Sequence, residues 1–526
     1  MASTAPTSPV DDGGAHNRAR APIVLITVLA IATAGLVYEL LAGAIATTVL
    51  GNSLRQYSIT IGVYLFAMGI GAYASKYLDD RIAERFIDVE YGTALVGGTQ
   101  GMLLFAAYGR AEAFSVLLYG TLIVVGALVG LEVPLLMRIL QRDLELKDLV
   151  AKVLAFDYLG ALLGSLVFSV VLVEQLSVPL ERIGILFGLL NCGVGLLAVW
   201  ALAPHLQPGS QRGLIIRGVI VAALLVTAYV WSTAVRITGE QELYGDRITY
   251  VEQSAYQRIV LTQGSGRIQL FLDGNLQLSS LDEYRYHEAL VHPAMSAAHA
   301  RKRVLVLGGG DGLAVRELLR YPEVERVVLV DLDPAVTALA RTLPPLAALN
   351  DGSLDDPRVA LVHDDAFVWL DEASRRTEHE LFDVVIADFP DPNNLALGKL
   401  YSQRFYELVK ASLAPHGVLA VQSTSPLFAR KSFWCVERTI AAAGLHTLPY
   451  HALVPSFGEW GYVLASRDAL TTPAHLRTEG LRYLNDATLA ALFTMPADLG
   501  PLEVEVNRLN QPVLVHYYAA EQAEVF

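Results

Sequence analysis

Cysteine is nearly absent, with two in 526 residues, Cys192 and Cys435. So few exclude a disulfide scaffold and a Cys-rich metal site, and both read as ordinary buried thiols. Charge is scarce as well. Charged residues make up 17% and hydrophobic ones 53%, with mean hydropathy +0.42, a balance that points to membrane segments rather than an enlarged globular core. Basic residues are in deficit, giving net charge −14. The deficit is uneven: residues 1–236 hold 16 acidic and 15 basic side chains, the remainder 37 and 24. An acidic second half repels nucleic acid and attracts small cations. The acids lack histidine partners at ligand spacing, so no metal site is expected. No repeat or low-complexity tract follows residue 20. A chain of this length exceeds one compact core and implies two or more domains.

What is present first is a series of long apolar runs. Residues 1–20, MASTAPTSPVDDGGAHNRAR, are polar and read as a disordered tail. Runs close to the roughly 20 residues of a bilayer-spanning helix then fall at 22–44, 57–77, 91–109, 113–137, 154–173, 183–203 and 214–234. About seven helices, a transmembrane domain over 21–236, are the expectation. The first run is too long for a cleaved signal peptide and reads as a retained anchor. Alternate loops carry Arg18 and Arg20, then Lys76, Arg81 and Arg85, then Arg138, Arg142, Lys147 and Lys152, then Arg212 and Arg217. The positive-inside rule places the N-terminus in the cytosol; seven crossings would then export the second half. Glu39, Glu132 and Asp157 interrupt apolar segments. Intramembrane acids mark a cation path or hydrogen-bond across a packed bundle.

From 237 the texture changes. RITYVEQSAYQRIVLTQGSGRIQLFLDGNLQLSS alternates apolar and polar residues around QGSG and DGN turns, which predicts a small antiparallel sheet. With the helix DEYRYHEALVHPAMSAA it forms a subdomain over 237–300. Residues 301–526 open as a βα alternation, the pattern of a doubly wound, mostly parallel sheet.

The first βα turn, VLVLGGGDGL, puts Gly308 and Gly310 where backbone approaches a ligand at a helix N-terminus. Leu313 breaks the dinucleotide spacing G-x-G-x-x-G, and the loop is closer to the G-x-G-x-G of class I S-adenosylmethionine-type folds. The next strand ends at Asp331, about 20 residues on, where an acid can bind ribose hydroxyls. The third is expected to end at Asp365-Ala366. In VIADFPDPNN a fourth strand ends with Asp388, three residues before Asp391. Asp311, Asp331, Asp365, Asp388 and Asp391 thus converge on the carboxyl ends of parallel strands, where such sheets bind ligands. Five acids in one crevice repel each other unless a cation sits among them, so the expected ligand is a polycation.

The stretches AYQRIVL, LFLDGNLQLSSLDEYRYHEALVHP, VLVLGGGDGLAVREL, VVLVDLDPAV, HDDAF and DFPDP, in this order, make residues 245–465 resemble the spermidine synthase (polyamine aminopropyltransferase) family. Apolar helices ahead of such a domain resemble its multi-pass bacterial members. The resemblance implies an α/β class I methyltransferase-like (Rossmann-type) catalytic domain with a small β subdomain in front. It implies transfer of the aminopropyl group of decarboxylated S-adenosylmethionine, a co-substrate, to putrescine, giving spermidine and methylthioadenosine, with no permanently bound cofactor. Carried over, Gln257, Gln277, Asp331, Asp365 and Ala366 line the nucleoside site. Tyr286, His287 and Asp391 lie along the amine, Asp311 meets the aminopropyl ammonium, and Asp388 is catalytic. The resemblance also implies a cell-membrane protein whose partners are these small molecules and the lipid bilayer, not nucleic acid, with homo-oligomers expected. The substrates place the catalytic domain in the cytosol, against the loop charges.

Two features depart from the family pattern. Leu395 stands where D-P-x-G-P would place proline, and VPSFGEWGYVLAS has no equivalent of the family's amine-site tyrosine, leaving Phe457 or Trp460 as candidate aromatic walls. Competing readings are a methyltransferase on the same fold and a polyamine sensor or transporter.

Overall fold

The computed structural model describes residues 13–50, 53–141, 146–176, 178–376 and 380–525. The chain forms two compact units, Met1–Gly245 and Asp246–Phe526.

The first unit is helical: α1 (Gly13–Leu50), α2 (Ser53–Ala74), α3 (Ile82–Ala106), α4 (Ala111–Leu140), α5 (Leu146–Leu166), α6 (Leu180–Ala201) and α7 (Ser210–Tyr244). Of the expected tail, residues 1–12 lie outside the described residues and 13–20 already belong to α1. Each apolar run begins within one helix, the fifth continuing from α5 into a π-helical stretch at Val167–Gln175, and α7 continues unbroken past the boundary expected at 236. Among the described residues, six helices are long and apolar enough to cross a membrane. The exception is α3. Its first turns carry Glu84, Arg85, Asp88 and Glu90, and Phe86, Glu90, Thr93 and Gln100 are wholly buried. Much of its surface packs on neighbouring helices, and Thr93 and Gln100 on it meet polar side chains of α4.

Small residues let the helices touch. A Cβ on Gly71 would stand 1.9 Å from the Ala127 carbonyl oxygen, and one on Gly130 2.1 Å from that of Met68; α2 and α4 therefore pack backbone to backbone. Apolar side chains point outward instead, among them Phe66 and Val230, both 70% exposed. Glu132 accepts a hydrogen bond from Thr93 across α3 and α4 at 2.8 Å, the cross-bundle bond considered for it above. Its second oxygen, and both oxygens of Glu90, have no partner.

The second unit opens with an antiparallel sheet of β1 (Arg247–Gln253), β2 (Arg258–Gly264), β3 (Arg267–Leu272) and β4 (Asn275–Ser279). Ser265-Gly266 and Asp273-Gly274 turn its hairpins with positive φ at both residues, the geometry that favours tight two-residue loops. After α8 (Glu283–Ala297) come β5 (Arg303–Gly308), α9 (Leu313–Leu319), β6 (Arg326–Asp331), α10 (Pro334–Thr342), α11 (Pro344–Leu349), β7 (Val359–His363), α12 (Ala366–Ser374) and β8 (Phe382–Asp388). The remainder is α13 (Leu395–Gly398), α14 (Gln403–Ser412), β9 (Leu413–Gln422), α15 (Arg430–Ala442), β10 (His446–Val454), β11 (Gly458–Ser466), α16 (Asp486–Leu492) and α17 (Val513–Val525).

Seven strands form one mixed sheet in the order β10-β11-β9-β8-β5-β6-β7. β7, β6, β5, β8 and β9 are parallel, and β10 and β11 add an antiparallel edge. Val304–Leu307 and Val384–Ala387 are fully buried, as strands covered on both faces by helices must be. From β5 the chain moves outward to β7, then returns to β8 on the other side. The order therefore reverses between β5 and β8, where such folds open a crevice. One expectation needs correction: the third strand ends at His363, not Asp365. The Asp365 side chain instead caps α12, accepting from the Phe367 N–H at 2.9 Å, a short acid's usual role at a helix start.

Candidate active site

The crevice at the strand ends is a cavity of about 740 Å³. Its floor exists because of glycine. A Cβ on Gly308, at φ 78°, would lie 2.1 Å from the Asp388 carbonyl oxygen, and one on Gly310 2.6 Å from the Asp331 carboxylate. Only glycine lets β5 end this close to its neighbours.

All twelve residues singled out from the sequence line this cavity. Asp331, at the end of β6, accepts the N–H groups of Gly310 at 3.0 Å and Asp333 at 2.9 Å. Burial raises its pKa to about 6, although both N–H groups act to lower it. Gln257 is held by the Asp333 carboxylate at 3.0 Å, and Gln277 reaches the cavity from β4. Asp311 accepts the Leu313 N–H at 2.9 Å, at the start of α9. Asp365 is paired with Lys399, and Ala366 follows it.

The other end is built on α8 and β8. Tyr286 donates its hydroxyl to Asp388 Oδ1 at 2.6 Å. Burial raises the Asp388 pKa to about 6; nearby His287 and the Tyr286 bond lower it, while Asp311 raises it further. Burial alone would depress His287. The Glu283 carboxylate, 3.2 Å from Nδ1, together with Asp311 and Asp388 outweighs that and raises it to about 9. His287 is therefore a cation at neutral pH. Asp391 accepts from Tyr518 at 2.8 Å and from Thr424 at 3.3 Å, and burial raises it to about 6. The Gln422 side chain also acts on this carboxylate as a donor, although Oδ1 itself makes no hydrogen bond of normal geometry. Phe457 and Trp460, 5.1 Å apart, both stand in the wall beside Tyr286. Leu395 is 49% exposed, and Ala396 and Leu397 line the cavity in its place.

Sequence reasoning missed Lys399, Gln422, Thr424 and Tyr518. Gln422 binds the Tyr401 hydroxyl and the Thr424 N–H. Thr424, at φ 59°, and Tyr518 lie on segments whose only signal is their fold. Among the described residues no group of three or more histidine, cysteine or acidic side chains has the arrangement to hold a metal.

Five carboxylates face two cations, His287 and Lys399, across a glycine-floored crevice. Such a fold and site fit an enzyme whose substrates are themselves cationic. The Spermine/spermidine synthase domain family matches residues 283–473. Polyamine aminopropyltransferase of Leptospira interrogans is 46% identical over 94% of this chain and 98% of its own length. Polyamine aminopropyltransferase 2 of Ralstonia nicotianae is 46% identical over 95% and 98%, and polyamine aminopropyltransferase of Mycobacterium tuberculosis is 40% identical over 94% and 95%. A crystal structure of spermidine synthase from Thermotoga maritima is 28% identical, covering 48% of this chain and 85% of its own with TM-score 0.43. The chain belongs to the polyamine aminopropyltransferase family. It is an enzyme of polyamine biosynthesis that transfers an aminopropyl group and uses decarboxylated S-adenosylmethionine as co-substrate.

The raised carboxylates carry a stability consequence. An acid at about 6 in the native state and near its ordinary 3.9 when unfolded costs stability above pH 6, and the cost fades as pH falls to 4. Asp388→Asn should therefore raise the thermal midpoint of the full chain by a few degrees at pH 8 and leave it nearly unchanged at pH 4. Melting curves at the two pH values check this.

Proposed function

We propose that the chain moves the aminopropyl group to putrescine, with Asp388 as the group that orients and deprotonates the attacking amine. The observation that carries this reading is the position of Asp388. It closes β8 beside the glycine floor, is hydrogen-bonded by Tyr286, and ionises at about 6.

A primary amine is protonated at neutral pH and cannot attack. Asp388 receives its proton, the freed nitrogen pair forms the new N–C bond, and the C–S bond breaks with its electron pair remaining on sulfur as methylthioadenosine. The sulfonium is already a good leaving group, so positioning supplies much of the remaining acceleration. Asp331 and Gln257 take the ribose and nucleoside, and Asp365 and Ala366 the adenine edge. Asp311 receives the aminopropyl ammonium; it would repel the carboxylate of intact S-adenosylmethionine. Tyr286, Asp391 and the aromatic wall hold the acceptor. His287, as a cation tied to Glu283, keeps Asp388 in its ionised form.

The helical unit is proposed to be a multi-pass membrane domain, supported by its six long apolar helices and outward-facing apolar side chains. The catalytic unit is placed on the cytosolic side, where the substrates are made. Six crossings would return the chain to the side of its N-terminus; seven would not.

Detergent-solubilised full chain, given decarboxylated S-adenosylmethionine and putrescine, should release methylthioadenosine and spermidine together. Asp388→Asn should lower kcat by about 10²–10⁴-fold, and the parent's kcat/KM should fall as pH drops through about 6. Putrescine-independent methylthioadenosine release, or an unimpaired Asp388→Asn, contradicts the reading. For topology, both native cysteines are buried, so one cysteine introduced on the catalytic unit's surface reports its side. It should resist an impermeant maleimide in intact cells and react in inverted vesicles. The reverse pattern overturns the cytosolic placement.

A further inference from the structure

The amine end of the cavity is built partly by residues beyond the 283–473 region that the family matches. Tyr518 and Gln522, four residues apart on α17, both line the cavity, and that spacing puts them on one helix face.

The helix is fixed at both ends of this face. Leu514 and Val515 are buried. Just upstream, the Asn507 side chain donates to the carbonyls of Gly398 and Tyr401 at 3.0 Å each and accepts from the Leu514 N–H at 3.4 Å. This knits the chain before α17 to the segment that follows Asp391. Further along, the Glu521 carboxylate receives the N–H groups of Lys431 at 2.6 Å and Ser432 at 3.1 Å, and the Ser432 hydroxyl at 2.6 Å. An acid at the first turn of α15 also meets that helix's dipole favourably. Between the two anchors, Tyr518 has one place to go.

Its hydroxyl bonds Asp391 Oδ2, and Thr424 and Gln422 act on the same carboxylate as further donors. A buried carboxylate held by neutral donors keeps its charge uncompensated, and the cavity that Asp391 lines is where an ammonium would meet it. The loop expected to bring an amine-site tyrosine brings Phe457 and Trp460, which offer ring faces but no hydroxyl.

We propose that α17 is the amine-end wall of this active site and that Tyr518 is the residue that determines acceptor specificity. Its hydroxyl fixes the Asp391 carboxylate in the cavity wall where the distal ammonium of a diamine would lie; its ring sets the length of diamine that fits. The inference rests on the aminopropyl-transfer reading and names the part of the site that selects the amine.

The test is steady-state kinetics of the detergent-solubilised full chain with putrescine and with cadaverine, in parent, Tyr518→Phe and Tyr518→Ala. Tyr518→Phe should raise the putrescine KM about tenfold, the worth of one hydrogen bond to a charged group. The KM for decarboxylated S-adenosylmethionine should stay within about twofold, since this tyrosine touches only the amine end. Tyr518→Ala should shift the cadaverine-to-putrescine ratio of kcat/KM toward cadaverine by about tenfold, within the range of one methylene in a pocket. Unchanged putrescine KM and unchanged amine preference overturn the proposal. So does a donor KM that rises as much as the amine KM, the mark of a merely structural residue. A parent chain with no diamine turnover contradicts the function reading instead. Calorimetric binding of putrescine to parent and Tyr518→Phe, with methylthioadenosine present, then decides the inference: weaker binding to the variant supports it, and equal binding overturns it.

Discussion

Like charges crowded into one buried crevice are the constraint on which the rest of this catalytic unit depends. Asp311, Asp331, Asp365, Asp388 and Asp391 share a single cavity, and three of them are held near pKa 6 by burial. Such an arrangement persists only if the fold over-determines it. The glycine floor brings β5 against β8, the buried strands fix the spacing, N–H groups hold Asp311, Asp331 and Asp365, and Tyr286 and Tyr518 hold Asp388 and Asp391. His287 and Lys399 offset part of the charge, and the remainder suits a sulfonium and ammonium groups arriving together.

The helical unit solves a different problem with related means. Glycines let α2 and α4 touch, and α3 hides its polar groups among neighbours. Glu132 and Thr93 form a cross-helix bond, while Glu90 next along α3 retains bare oxygens.

Much of this was legible in the sequence because it rests on local pattern. Apolar run length marks the helices, and the DGN turn marks a hairpin. The glycine loop and the acids at strand ends mark the crevice, since a parallel sheet aligns those ends whatever lies between. Asp365 is an instructive slip: an acid after a Val/Leu strand reads as strand end, yet here it starts the next helix. Lys399, Thr424 and Tyr518 were out of reach. Each enters the site through packing between segments far apart in sequence, and none lies in a motif. Tyr518 is the extreme case, 127 residues from the aspartate it bonds. Long-range placement of this kind leaves no period or spacing to read.

The central claim, that the crevice is shaped by charge to accept cations and reject an added carboxylate, is tested most directly by donor discrimination. Calorimetry on the full chain would compare decarboxylated with intact S-adenosylmethionine, in the parent and in Asp311→Asn. The account predicts that the parent binds the decarboxylated form at least about 100-fold more tightly, on the order of 3 kcal/mol, and that Asp311→Asn narrows the gap by about tenfold. Equal affinity for the two donors in the parent, or a gap untouched by Asp311→Asn, would contradict it.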